Sequence, residues 1–292
     1  MGSQLNSIVN FTPDAIEIAL DNYKVRGLTN SNQNAPVLLC LHGWLDNAAS
    51  FLPLMPWLND YHVIAIDWPG HGLSDHRGQD AHYYFMDYVY DLLQVFHVQR
   101  WQNVHIVGHS MGGMIATAFA AAFPENVSKL TLIDALGFIA CDENEVTKQL
   151  RKGLLSRLKI RDKSLSLHSD TDAATKARVQ VSDLSFAHAK LIVERGMRNQ
   201  SGGVVWRSDM RLRATSPYRL SPGQADKLFR DLKTPAQLIY GSEGMEFVQN
   251  ALNKYQASSS LVESHSLAGG HHVHMEQPEK CSELIRSFFH KK

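Results

Sequence analysis

The chain has 292 residues, 44% of them hydrophobic, enough to bury a large core without a metal or disulfide staple. Lys plus Arg and Asp plus Glu both number 29, so the formal net charge is zero and no electrostatic footprint for nucleic acid or an anionic membrane stands out. Cys40, Cys141 and Cys281 are odd in number and widely spaced, which argues against a disulfide framework and for a reducing compartment.

In chain order, residues 1–10 lack the basic and apolar segments of a secretory signal, and Gly2 lacks the Ser or Thr at position six that myristoylation wants, where Asn6 stands. Residues 16–20 and 23–28 flank Asp21-Asn22 and predict an antiparallel hairpin, followed by a polar loop over 29–35. Short apolar runs at 37–41, 63–66, 104–107, 130–133 and 237–240 have the pattern of strands covered on both faces of a parallel sheet. Helices are predicted over 48–58, 81–96 and 111–123, and over 279–289 just after Pro278. The longest apolar stretch, 114–123, is too short to span a bilayer, and His290-Lys291-Lys292 is no peroxisomal address. The expectation is a soluble cytoplasmic protein with no integral membrane segment.

The alternation of strands and helices predicts an α/β fold with a mostly parallel, doubly wound sheet. One interval breaks it, because residues 137–233 separate two strands that a single crossover helix could join. Helical runs at 146–158 and 183–197 and few strand-like segments make this interval an inserted helical cap, with the core formed by 1–136 and 234–292.

Chemistry concentrates at Gly108-His109-Ser110-Met111-Gly112-Gly113, where a strand runs through Gly-x-Ser-x-Gly into an Ala-rich helix. A nucleophile on so sharp a turn needs a strained backbone and glycines beside it, and its hydroxyl then stands exposed at the strand's carboxyl end. A Ser hydroxyl is a weak nucleophile until a base takes its proton, while the helix start offers free amides to a developing oxyanion. The second amide is expected from His42-Gly43-Trp44-Leu45, directly after the 37–41 strand. Trp44 and Met111 are therefore the candidate oxyanion donors, although His42-Gly43 read alone also fits a tight turn with a satisfied loop histidine. Asp67-Trp68-Pro69-Gly70-His71-Gly72-Leu73-Ser74 reads as an architectural loop in which Asp67 bonds back to nearby amides, and the aromatic run 82–90 reads as helix packing.

These segments, with Gly269-Gly270-His271, Glu276 and Pro278, occur in the order seen in α/β hydrolases, which the chain resembles over most of its catalytic core. More narrowly, His42-Gly43-Trp44-Leu45-Asp46-Asn47, Ser74-Asp75-His76-Arg77 and Gly269-Gly270-His271-His272-Val273-His274 are similar to the serine hydrolase-like proteins. The resemblance implies an α/β-hydrolase fold and a base in the loop after the last strand. His271 fits it, five residues before Glu276 and seven before Pro278, with His272 as the fallback. Histidines 271, 272 and 274 also raise a metal site, but the loop has no Cys and no recognised ligand spacing, so no metal or other cofactor is expected.

The acid departs from the pattern. Family members place Asp three residues after the Gly ending the strand before the last, and here Gly241 leads to Gly244. Some α/β hydrolases take the acid from the preceding strand end, which points to Asp134, with Glu243 second. Asp134 equally suits a strand-end residue bonding to loop amides. The expected function is a serine hydrolase that cleaves a small-molecule carboxylic ester through an acyl-enzyme on Ser110. The same constellation serves thioesterases, amidases and carbon–carbon bond hydrolases, whereas Ser at position 110 argues against the Asp-nucleophile dehalogenases and epoxide hydrolases. The competing expectation, drawn from the missing Asp at 244, is a ligand-binding protein on the same scaffold with little or no turnover.

Overall fold

A computed structural model describes residues 11–255 and 262–291; the stretch 1–10, with Gly2 and Asn6, and Lys292 lie outside the described residues. The strands are β1 (Asp14–Ala19), β2 (Lys24–Thr29), β3 (Val37–Leu41), β4 (His62–Ile66), β5 (Val104–His109), β6 (Val127–Ile133), β7 (Met197–Gln200), β8 (Gly203–Trp206), β9 (Ala236–Gly241) and β10 (Val262–Leu267). Eight of them form one sheet in the order β1-β2-β4-β3-β5-β6-β9-β10. The hairpin expected at the start is present, β1 antiparallel to β2 with Ile18 opposite Val25, and β2 runs antiparallel to β4. From β4 to β10 every pairing is parallel.

The apolar β3 and β5 runs are buried almost throughout because helices cover both faces of the sheet. On one face lie α1 (Phe85–Gln99) and α2 (Met111–Ala122), whose Leu92, Phe96, Ile115 and Phe119 pack against Leu39, Ile106 and Leu130. The other face holds Leu38, Val107 and Ile239 against Phe51, Leu54 and the carboxyl-terminal helix. The helix expected over 48–58 is instead two 3₁₀ turns, Ala48–Phe51 and Met55–Trp57. Pro53 and Pro56 remove the amide donors that a continuous α-helix would need there.

Between β6 and β9 the chain forms α3 (Val146–Arg161), α4 (Thr171–Val179), α5 (Phe186–Gly196), the β7–β8 hairpin and α6 (Pro222–Arg230). This insertion is mostly helical, with one antiparallel hairpin that its composition did not announce. Helix α5 starts on Ser185, whose side chain accepts from the His188 amide, and α6 starts on a Ser221–Gln224 capping box with Pro222 in the first turn. Ala225 and Phe229 of α6 belong to the same core cluster as α1 and α2. After β9 come α7 (Glu246–Tyr255), edge strand β10, the short α8 (Val273–Glu276) and α9 (Pro278–His290). Among the described residues, no helix is long and apolar enough to cross a membrane.

Candidate active site

Ser110 follows β5 with φ 51° and ψ −121°, a left-handed conformation that costs about 1–3 kcal/mol and is held by close packing on both sides. A Cβ at Gly112 would lie 2.2 Å from the Leu41 carbonyl oxygen, and one at Gly108 would lie 2.6 Å from the Gly113 Cα. Glycine is therefore required where the strand and α2 close on each other, and the expected elbow is what the backbone makes. The Ser110 amide donates to the Ile133 carbonyl at 3.0 Å, so the elbow sits beside the carboxyl end of β6.

The next residue along that end of β6 is Asp134, 1% exposed. Its Oδ2 accepts from His271 Nδ1 at 2.6 Å and from the Met245 amide at 3.0 Å. His271 stands in the loop after β10, held where Glu276 accepts from the Gly270 amide at 2.8 Å. With Nδ1–H donating to Asp134, the free lone pair of His271 is on Nε2, the atom a base would use on a neighbouring hydroxyl. Glu243 is exposed, and its amide donates to the Gly269 carbonyl. Asp134 is thus the carboxylate brought to His271. The glycine at 244 has a steric cause as well, because a Cβ there would lie 2.3 Å from Asp134 Oδ1. The Asp134 carboxylate fills the space that a side chain at 244 would need.

The loop Gly43-Trp44 closes the other side of Ser110, with a Cβ at Gly43 only 3.0 Å from Ser110 Cβ. His42 is buried and holds this loop: its Nδ1 donates to the Gly43 carbonyl at 2.7 Å and its Nε2 accepts from the Trp68 amide at 3.0 Å. Burial lowers its pKa to about 4, so it is a neutral pin. Among the described residues, no acceptor engages the amides of Trp44 and Met111. Trp44 Nε1 donates to the Leu212 carbonyl at 3.1 Å, tying the loop to the insertion.

A second set of charged residues, drawn from four separated segments, escaped the sequence reading. His272, the fallback base, donates from Nδ1 to Asp183 at 2.6 Å and from Nε2 to Asp46 at 3.2 Å. Burial opposes its charge, but the two carboxylates outweigh burial and raise its pKa to about 9. Asp46 also accepts from Arg178 at 2.7 Å; burial works against its charge, yet His272 and Arg178 hold its carboxyl well below the usual range. His272 holds Asp183 low in the same way against burial. A salt bridge therefore joins α4 and the loop before α5 to the core directly beside His271. Asp67, read as a loop staple, does accept from the Ala48 and Leu73 amides and adds a bidentate pair with Arg195 of α5, whose Nε donates to Oδ1 at 3.1 Å and Nη2 to Oδ2 at 2.8 Å. The sequence hints of the His272 cluster were Asp46 in the His42–Asn47 motif and His272 in the Gly269–His274 motif, with nothing pointing to Arg178 or Asp183.

Among the described residues, Asp46, His109 and His272 offer ligand atoms within 4.8 Å of one another, so they are the group that could approach a metal. Both His272 nitrogens already donate, however, and two carboxylates against Arg178 and the His272 imidazolium leave the cluster charge-balanced without an ion. Beside the Trp44 loop, a cavity of about 360 Å³ runs between core and insertion, lined by Trp44, Leu45, Ala177, Trp206, Arg178 and Arg213.

A family model described as the alpha/beta hydrolase fold matches residues 36–278. Among curated proteins, a serine hydrolase-like protein of Danio rerio is 29% identical, covering 97% of this chain and 92% of its own length. Serine hydrolase-like protein 2 of Homo sapiens is 32% identical, covering 87% and 86%. Among solved structures, a hypothetical protein of Pseudomonas aeruginosa PAO1 is 31% identical, with a TM-score of 0.88 over 96% of this chain and 98% of its own. The thioesterase domain from the curacin biosynthetic pathway, 23% identical with a TM-score of 0.83 over 94% of this chain, shares the fold.

Proposed function

This chain belongs to the α/β-hydrolase-fold family, in its serine hydrolase-like branch, and is a hydrolase; from that premise we propose that it cleaves a small carboxylic ester through an acyl-enzyme on Ser110. The observation that carries the reading is the Asp134–His271 bond at 2.6 Å, made by the residue that follows the β6 end to which the strained elbow is bonded, which leaves the His271 Nε2 lone pair free to serve as the base. In the reaction, His271 Nε2 takes the Ser110 proton as Oγ attacks the carbonyl carbon. The Trp44 and Met111 amides hold the oxyanion, and Asp134 stabilises the imidazolium. The imidazolium then protonates the leaving alcohol oxygen. Water, deprotonated in turn by His271, releases the acid and returns the proton to Ser110.

In this reading residues 137–233 act as the cap, joined to the core by the Asp46–Arg178 and Asp67–Arg195 pairs, and substrate enters between cap and Trp44 loop. The cavity there sets apolar walls at Leu45, Ala177 and Trp206 against two guanidinium groups. Arg178 is already paired with Asp46, whereas Arg213 makes no hydrogen bond or ion pair among the described residues, and burial and Arg178 lower its pKa. That favours an apolar chain carrying a negative group. The test is hydrolysis of a short acyl ester series by wild type and Ser110→Ala. Turnover confined to wild type supports the reading, and equal turnover by both, or none by the folded wild type, moves the ligand-binding reading to first place.

A further inference from the structure

Helix α3 is built inside out. Its inward face is small or polar: Gly153 packs so tightly that a Cβ would lie 2.3 Å from Pro217 Cα, Gln149 donates to the Ser216 carbonyl, Ser156 accepts from the Thr215 amide and Arg157 donates to the Tyr84 hydroxyl. Ile160 is its one buried large apolar side chain. Val146, Leu150, Leu154 and Leu158, spaced four residues apart, stand on the solvent side with Leu155, each between 43% and 55% exposed. Residues four apart share a helix face, so these side chains form one apolar stripe. A helix that only packs onto its own protein buries such a stripe.

The charge around the stripe says what covers it. In a chain of zero net charge, α3 carries Lys148, Arg151, Lys152, Arg157, Lys159 and Arg161 and no acidic residue. Lys148 pairs with Glu145 and Arg157 with Tyr84, while Arg151, Lys152 and Lys159 make no hydrogen bond or ion pair among the described residues. A second copy meeting this face with its own α3 would set cation against cation. A lipid surface offers acyl chains for the leucines and anionic headgroups for the basic residues at once. At 16 residues, α3 is suited to lie in such a surface and not to cross it.

We propose that α3 docks the protein on anionic lipid membranes, its leucine stripe entering the headgroup boundary and Arg151, Lys152 and Lys159 meeting lipid phosphates and carboxylates. Zero net charge hides this local asymmetry. The docking face lies close to the site: the segment that α3 packs on, Thr215 to Pro217, follows the turn Met210–Arg213, whose Leu212 carbonyl holds the Trp44 side chain. The inference does not depend on Ser110 chemistry.

The test is sedimentation of the full chain with vesicles of phosphatidylcholine alone and of phosphatidylcholine with phosphatidylserine. Two surface variants are run beside wild type: Leu154→Ser with Leu158→Ser, and Arg151→Gln with Lys152→Gln and Lys159→Gln. Wild type binds the phosphatidylserine vesicles, and added salt weakens the binding. The charge variant loses about 100-fold in partitioning, about fivefold per basic residue. The leucine variant, with two half-exposed side chains removed, loses about 30-fold. Wild type that ignores both vesicles, or variants that bind as wild type does, overturns the proposal. A dimer in solution that the leucine variant dissolves, without vesicle binding, assigns the face to a second copy instead.

Discussion

Replacing Asp134 with Asn keeps the shape of the His271 contact and removes its charge. Two unit charges 2.6 Å apart attract by about 6 kcal/mol at an effective dielectric constant of about 20. The imidazolium forms as His271 takes the Ser110 proton, so that attraction is gained on the way to the transition state, and at 1.36 kcal/mol per tenfold its loss slows acylation by about 10⁴-fold. The assay is the rate of fluorophosphonate labelling and of ester turnover, with thermal unfolding as the check on folding. Gly244→Asp alone destabilises, because its Cβ meets Asp134 Oδ1 at 2.3 Å. Combined with Asp134→Gly, a change that suits the φ of 42° at position 134, it places a carboxylate near His271 from the other loop and recovers part of the lost rate. The reasoning fails if folded Asp134→Asn reacts within about tenfold of wild type, a loss too small for a buried charge partner, or if Glu243→Gln costs more than Asp134→Asn.

The pH profile of stability reports the His272 clamp. Because the folded pKa of His272 is raised from 6.5 to about 9, its contribution of roughly 3 kcal/mol is fully present below pH 6.5 and is lost as pH rises through about 9. Asp46 and Asp183 are shifted downwards, so their contribution is present above pH 3.8 and fades below it. Chemical denaturation of wild type should show an alkaline decline from pH 6.5 to 9 that His272→Gln lacks; parallel profiles would mean that the clamp is not ionic. Arg195→Ala leaves the fully buried Asp67 without its cation and should lower unfolding free energy by about 3–5 kcal/mol; a loss below about 1 kcal/mol, the range of an exposed pair, would contradict this. Arg213→Gln should reduce kcat/KM by about 10- to 100-fold for an ester whose acyl chain ends in a carboxylate, the range of a charge-assisted hydrogen bond, and leave the matching methyl ester unchanged. Equal losses on the two substrates would remove Arg213 from substrate recognition.

The elements nearest the chemistry were legible because each depends on a local rule. Gly108, Gly112 and Gly113 are demanded by the close approach of β5, α2 and the β3 end, so the elbow can be read from a hexapeptide. Asp134 could be reached from its strand-end position, but the reason for glycine at 244 required knowing that two distant loops share one space. The Asp46–His272–Asp183–Arg178 cluster joins residues from four segments, and no spacing in the chain encodes that meeting. The 48–58 helix was misread because apolar spacing outweighed Pro53 and Pro56, whose missing amides permit only 3₁₀ turns. A last strand was implied by the family order but could not be given bounds, because the polar Val262–Leu267 sequence lies at the sheet edge with every residue partly covered or exposed, unlike the buried central runs. Binary patterning also failed on α3, where the polar face is the inner one.

The most direct test of the central claim is intact-mass and peptide analysis after treating wild type and Ser110→Ala with a fluorophosphonate. The account predicts one adduct per wild-type chain, located on Ser110, and none on folded Ser110→Ala. A folded wild type that stays unmodified, or an adduct that persists in Ser110→Ala, would contradict it.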